Sequence, residues 1–216
     1  MALSKLTANS FDLTDNYALT GTVTGVTSTQ KLFLIKNLDA SSSATRTFID
    51  GSGSVDLDNT YKTYLFRFVN IHPATDSAVF QFQGSTQGSS SSDGDYANNI
   101  TSTSFQSFHD EADSSTGFSY DTGGDLANSS SFQNLSSAVG NGNDESLCGE
   151  LYLFNPSNTT FVKPFISRTN FYNASNFSHE KYVSGYINTT SAINAIRFKF
   201  SSGNIDSGRI GLYGIK

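Results

Sequence analysis

Acid–base or metal chemistry needs a histidine or carboxylate held against a partner, and the chain offers few places to look for one. His109, Asp110 and Glu111 set an imidazole beside two carboxylates, the residue types of a general base or a metal site. Neighbours in a strand point to opposite faces, however, and the surrounding tract reads as loop. His72 precedes Pro73 and stands near Asp76, which suits a turn better than a catalytic pair. His179-Glu180 follows a polar turn and has no obvious second ligand. Asp93-Gly94-Asp95 has the beginning of a calcium loop, but the full acidic series closed by a glutamate is missing. No Gly-x-Ser-x-Gly elbow, Walker phosphate loop or His-Glu-x-x-His motif occurs. The single cysteine, Cys148, excludes an internal disulfide and any cysteine-based zinc site. Within Leu147-Cys148-Gly149-Glu150-Leu151 it reads as a semi-buried strand residue rather than a nucleophile. No residue argues for catalysis, so the expectation is a protein that is not an enzyme and needs no cofactor or metal.

The elements that would position such groups are strands. Of 216 residues, 36% are hydrophobic and 15% charged, both low for an ordinary enzyme. The polar mass is Ser, Thr, Asn and Gly, which favour turns and extended chain over helix. Eighteen Phe and ten Tyr are too many large apolar groups for a disordered chain. At this length the chain can bury a sizeable core as one large β-sandwich or barrel. A net charge of −6 is opposite in sign to what phosphate-backbone binding requires, and no Lys/Arg cluster exists, so no nucleic-acid partner is expected. No secretory leader and no span of ~18 apolar residues is evident, so neither export nor membrane insertion is expected. The Asn-x-Ser/Thr triplets are what so Asn- and Ser-rich a chain makes by chance.

Apolar periodicity divides the chain into an extended amino-terminal arm, residues 1–30, and a β-sandwich or jelly-roll-like domain, residues 31–216, with long loops at 84–142. Strands are predicted over residues 31–37, 46–50, 61–71, 78–83, 146–154, 159–171, 181–188, 195–200 and 209–215. In 78–83, Phe80 and Phe82 alternate with Gln81 and Gln83, one buried and one wet face. In 195–200, Ile196, Phe198 and Phe200 alternate with Arg197 and Lys199 in the same way. Residues 84–142 break into short apolar pieces between Ser/Gly/Asp tracts, with aromatics at Tyr96, Phe105, Phe108, Phe118 and Tyr120.

Three surfaces are expected from this pattern. The strand 61–71 carries Tyr64, Phe66 and Phe68 on one face and Leu65, Val69 and Ile71 on the other. A surface strand needs only one apolar face, so a subunit interface involving Tyr64, Phe66 and Phe68 is expected here. In the arm, Leu3, Leu6, Phe11 and Leu13 are too sparse to build a core but available to plug grooves on a partner. The loop tip around Ser92, Asp93, Asp95 and Tyr96 is expected to face outward, because loops on a rigid scaffold commonly carry binding residues.

The opening Met-Ala-Leu-Ser-Lys-Leu-Thr, residues 1–7, resembles the amino-terminal segments of tail-fibre and appendage proteins of marine tailed bacteriophages, notably cyanophages. Residues 61–68 (YKTYLFRF), 71–76 (IHPATD), 151–156 (LYLFNP), 189–193 (TTSAI) and 202–215 (SGNIDSGRIGLYGI) are similar to uncharacterised virion structural proteins of such phages. The resemblance implies a structural protein on the outer surface of the tail or head, partnered by other virion proteins. By analogy with phage fibres it implies a homo-oligomer, with a trimer favoured, and a host-surface glycan as a further partner. A tail-fibre or appendage component is the first reading and a head-decoration or head-fibre protein the second. A carbohydrate-binding or carbohydrate-processing β-sandwich is the third, distinguished by aromatic platforms or converging carboxylates in a cleft.

Overall fold

The computed structural model describes residues 31–87 and 95–216, so the arm residues Leu3, Leu6, Phe11 and Leu13 and the tip residues Ser92 and Asp93 lie outside the described residues. Lys31–Lys216 forms one compact unit, and it is all-β. Twelve strands occur among the described residues: β1 (Leu32–Ser43), β2 (Arg46–Ile49), β3 (Thr63–Pro73), β4 (Phe80–Ser85), β5 (Ile100–Asp110), β6 (Thr116–Tyr120), β7 (Gln133–Asn134), β8 (Leu147–Phe154), β9 (Lys163–Asn173), β10 (Phe177–Ile187), β11 (Ala195–Phe200) and β12 (Ile205–Ile215). Every pairing is antiparallel. One sheet has eight strands in the order β1-β12-β3-β8-β9-β10-β5-β6, and the other has four in the order β2-β11-β4-β7.

The two sheets meet through phenylalanines. Phe198 of β11 contacts Phe66 and Phe68 of β3 across the interface, both at 5.2 Å between ring centroids. Phe48, Phe80 and Phe82 of its own sheet surround it at 5.9 to 6.3 Å. Such tilted and edge-on ring packing adds to the burial of each side chain. The expected inward faces of 78–83 and 195–200 are therefore observed. Their expected wet faces are not: Gln83 and Arg197 are both buried. The Gln83 amide donates to the carbonyls of Asn98 and Ser131, each at 3.0 Å, and its Oε1 accepts from Gly84 N–H at 2.9 Å. Chain from the 84–142 region covers this side of the sheet and supplies the hydrogen bonds that water would have made.

The expected interface at Tyr64, Phe66 and Phe68 is corrected by the packing. All three lie inside the chain's own core, at most 2% exposed, and cannot be offered to a second subunit. The two-faced reading of 61–71 holds for Leu65 and Val69 and fails at Ile71, for a backbone reason. A bulge at Val69–Asn70, with Asn70 at φ 50°, shifts the register between Phe68 and Ile71 and turns Ile71 inward to join them. The facing strand β12 is irregular at the same level, where Gly208 has φ +115°. A Cβ there would stand 2.4 Å from the Asn70 carbonyl oxygen, so the paired irregularities require glycine.

The four-stranded sheet covers only part of its larger partner. Over β9, β10 and β5 the lid is residues 121–139, which runs between β6 and β8. Thr169 Oγ1 donates to the Leu135 carbonyl at 2.5 Å, Ser102 Oγ to Gln133 Oε1 at 2.6 Å, and Leu126 N–H to Ser102 Oγ at 2.9 Å. Much of the expected loop region is thus a hydrogen-bonded layer of the fold.

Candidate functional site

Among the described residues no layer covers the other face of the eight-stranded sheet, and the registers define what it displays. Side chains in equivalent positions form rows across the strands. One row runs Leu34, Tyr213, Leu65, Tyr152, Ile166, Ser184, Thr103 from β1 to β5. Beside it, two positions further along the strands, run Arg67, Glu150, Arg168, Tyr182, Phe105 and Tyr120. On the opposite side stand Pro164, Tyr186 and Thr101. Eight large apolar side chains are exposed among the described residues. Seven of them, Leu34, Val69, Phe105, Phe118, Tyr120, Ile166 and Tyr186, belong to this face or its β6 edge, and only Phe161 does not. A monomer that scatters its apolar surface would not show this.

The rings are organised as a stack. Phe105 and Tyr182 lie parallel, with centroids 4.8 Å apart and planes 10° apart, and Phe118 leans on Phe105 at 5.5 Å. At the far end Arg168 places its guanidinium carbon 5.4 Å from the Tyr182 centroid and is held there by an ion pair with Glu180. One end of the stack is therefore capped by a cation, while Phe118 at the other end is 74% exposed.

Depressions flank this stack. The first, about 390 Å³, lies over Thr103, Ser184 and Gly185, with Ile166, Pro164 and Tyr186 along its side. Thr103 Oγ1 and Ser184 Oγ are 3.2 Å apart on its floor. Tyr182 and Tyr186 are four residues apart on β10, or ~13 Å at the ~3.3 Å rise of a strand, so the hydroxyls lie between two ring-bearing rows. The second, about 470 Å³, is charged and lined by Arg67, Glu150, Arg168, Asn170 and Glu180, with Cys148 and Val69. Its carboxylates are engaged: Glu180 with Arg168, and Glu150 as acceptor from the Tyr152 hydroxyl at 3.4 Å. Among the described residues no group of three His, Cys, Asp or Glu converges as a metal site.

The residues singled out for chemistry are dispersed. His109 and Asp110 end β5 rather than sitting in a loop. His109 is exposed and Asp110 buried, on opposite faces. The Asp110 carboxylate accepts the N–H groups of Ser114 and Ser115, both at 2.8 Å, and the Ser114 hydroxyl, which hold it below the usual carboxylate range. It is a turn-former. His72 lies in β3 with Nε2 3.0 Å from the Gly142 carbonyl and Nδ1 3.6 Å from Asp206. His179 points inward between Phe108 and Phe171, stacked on each at 5.3 Å, while Glu180 points outward. Cys148 lies in a strand as expected but is exposed, its Sγ 3.3 Å from the Asn70 nitrogen.

The expected outward tip is corrected at Tyr96. The ring is buried, with the Arg197 guanidinium carbon 4.0 Å over its centroid, and Asp95 is half-buried. Arg197 needed cover on the outer side of β11, and Tyr96 supplies it, as Phe132 does for Lys199 at 4.4 Å. The outer-face residues Tyr182, Tyr186, Ile166 and Arg168 were not legible as a site. The available signal was Tyr182-Val183-Ser184-Gly185-Tyr186, in which two tyrosines four apart share a face with a serine between them. No protein family, curated sequence or solved structure matches the chain.

Proposed function

We propose that the domain is a non-enzymatic structural module on the outer surface of a tailed-phage particle, in the tail-fibre or appendage class, and that the open face of its eight-stranded sheet binds a host-surface glycan. The virion assignment rests on the resemblance of residues 1–7, 61–76, 151–156 and 189–215 to such proteins. The observation that carries the contact face is the concentration of seven of eight exposed large apolar side chains on it. The pairing of ring-bearing rows with the Thr103 and Ser184 hydroxyls favours a saccharide. Sugar rings present apolar C–H faces to aromatics and hydroxyls to hydrogen-bonding partners.

The test is binding of the purified protein to an array of bacterial surface glycans. The wild-type chain retains at least one glycan class, and Tyr186→Ala with Phe105→Ala lowers that binding at least tenfold while leaving the melting temperature within a few degrees. No retention on any glycan, or retention unaffected by the paired substitution, contradicts the reading.

A further inference from the structure

Lys181 projects from the inner face of β10, and its side chain is only 1% exposed. Its Nζ lies 2.5 Å from Asp121 Oδ2 and 3.2 Å from the Ser136 carbonyl oxygen. Asp121 stands just after β6, at the start of a turn. Its N–H donates to the Ser104 carbonyl at 2.9 Å, and its Oδ1 accepts the Gly123 N–H at 3.2 Å. The carboxyl is thus fixed in orientation before any reaction. Ser104 on β5 is 0% exposed, and its Oγ has no hydrogen-bond partner among the described residues. These three groups converge. A Cβ on Gly124 would stand 2.4 Å from Asp121 Oδ2, 2.5 Å from Lys181 Nζ and 2.9 Å from Ser104 Oγ. Only glycine lets the turn close over the amine.

Lys163 provides the contrast. It is as deeply buried, but its Nζ donates to the carbonyls of Phe161 and Thr189, at 2.7 and 3.1 Å, and no carboxylate among the described residues pairs with it. For Lys181, desolvation by burial favours the amine over the ammonium.

We propose that Lys181 and Asp121 join in an intramolecular amide bond, made by the folded chain itself. Lys181 Nζ first passes a proton to Oδ2, which frees its lone pair, and then attacks Asp121 Cγ, forming the C–N bond. The Gly123 N–H steadies the charge that develops on Oδ1. The Cγ–Oδ2 bond then breaks, and Oδ2 leaves as water, carrying the proton it received and a second from Nζ. The Ser104 hydroxyl relays that proton, accepting from Nζ and giving its own to Oδ2. No oxidant, reductant or activating group is consumed. The Asp121 side chain is 17% exposed, which gives the water a way out. The bond fastens the turn after edge strand β6 to the interior strand β10, between positions 60 residues apart in sequence.

Intact-mass spectrometry of the full-length denatured protein tests this. The wild-type chain comes out one water lighter than its sequence, and proteolysis yields a branched peptide joining Asp121 to Lys181. The branched peptide distinguishes the cross-link from water lost by cyclisation at an aspartate elsewhere. Asp121→Ala and Lys181→Met restore the full mass and slow migration on a denaturing gel. Ser104→Ala slows water loss at least tenfold in a time course after refolding. A wild-type chain of full mass after prolonged incubation overturns the proposal, as does water loss that persists in Lys181→Met. An unchanged rate in Ser104→Ala overturns the relay.

Discussion

His179 sits between Phe108 and Phe171 with Phe177 at its edge, and its Nδ1 is buried with no hydrogen-bond partner among the described residues. Burial lowers its pKa from the ordinary 6.5. In the unfolded chain the ring binds a proton below about that pH, while in the folded chain it resists protonation. The unfolded state therefore holds more protons as pH falls below 6.5, and stability declines through that window until the folded pKa is passed. Urea denaturation at stepped pH should show the midpoint falling as the pH drops below 6.5, and His179→Phe should flatten that fall. At this scale little was legible in the sequence. His109-Asp110-Glu111 has the residue types of a site, but alternation along β5 separates His109 from Asp110. Tyr96 and Arg197 are a hundred residues apart, and no local pattern announces that one covers the other.

Strands with apolar alternation were legible because burial on one face imposes a period of two. Residues 195–200 coincide with β11, and 146–154 nearly with β8. β5 was missed as one long strand because its inward positions include the polar residues Ser102, Ser104 and Gln106, of which Ser102 bonds to Gln133 and Gln106 to Ser137. The outer part of β1, residues 38–43, escaped notice for a similar reason: it is Ser-rich and held at the sheet edge by pairing with β12 and the Asp39–Arg209 ion pair. The packing ranks the elements. Phe198 touches five phenylalanines from both sheets, so Phe198→Ala should cost ~3–5 kcal/mol in urea unfolding. Phe118→Ala, on the exposed edge strand, should cost no more than ~0.5 kcal/mol. Gly208→Ala, opposed to the Asn70 bulge, should destabilise by more than ~1 kcal/mol, since its φ and the Asn70 carbonyl both resist a Cβ.

For the whole molecule, the all-β sandwich was legible from composition and turn spacing, whereas the contact face was not. Which face of a strand stays open depends on the strand order β1-β12-β3-β8-β9-β10-β5-β6, and that order joins segments remote in sequence. With Tyr64, Phe66 and Phe68 committed to the core, the proposed homo-oligomer must use other surfaces. Light scattering at micromolar concentration should give a multiple of 23.3 kDa, a trimer being favoured, and a stable monomer would exclude self-association as part of the function. Deleting residues 1–30 should leave the melting temperature nearly unchanged, because the apolar residues of the arm are too sparse in sequence to build a core, while abolishing incorporation into particles. The central claim, that this domain stands on the outside of a virion, is tested most directly by immunogold labelling of intact purified particles with antibodies raised against residues 31–216. The account predicts gold on the exterior of the tail in particles that have not been opened. Particles that carry no label, before or after disruption, would contradict it.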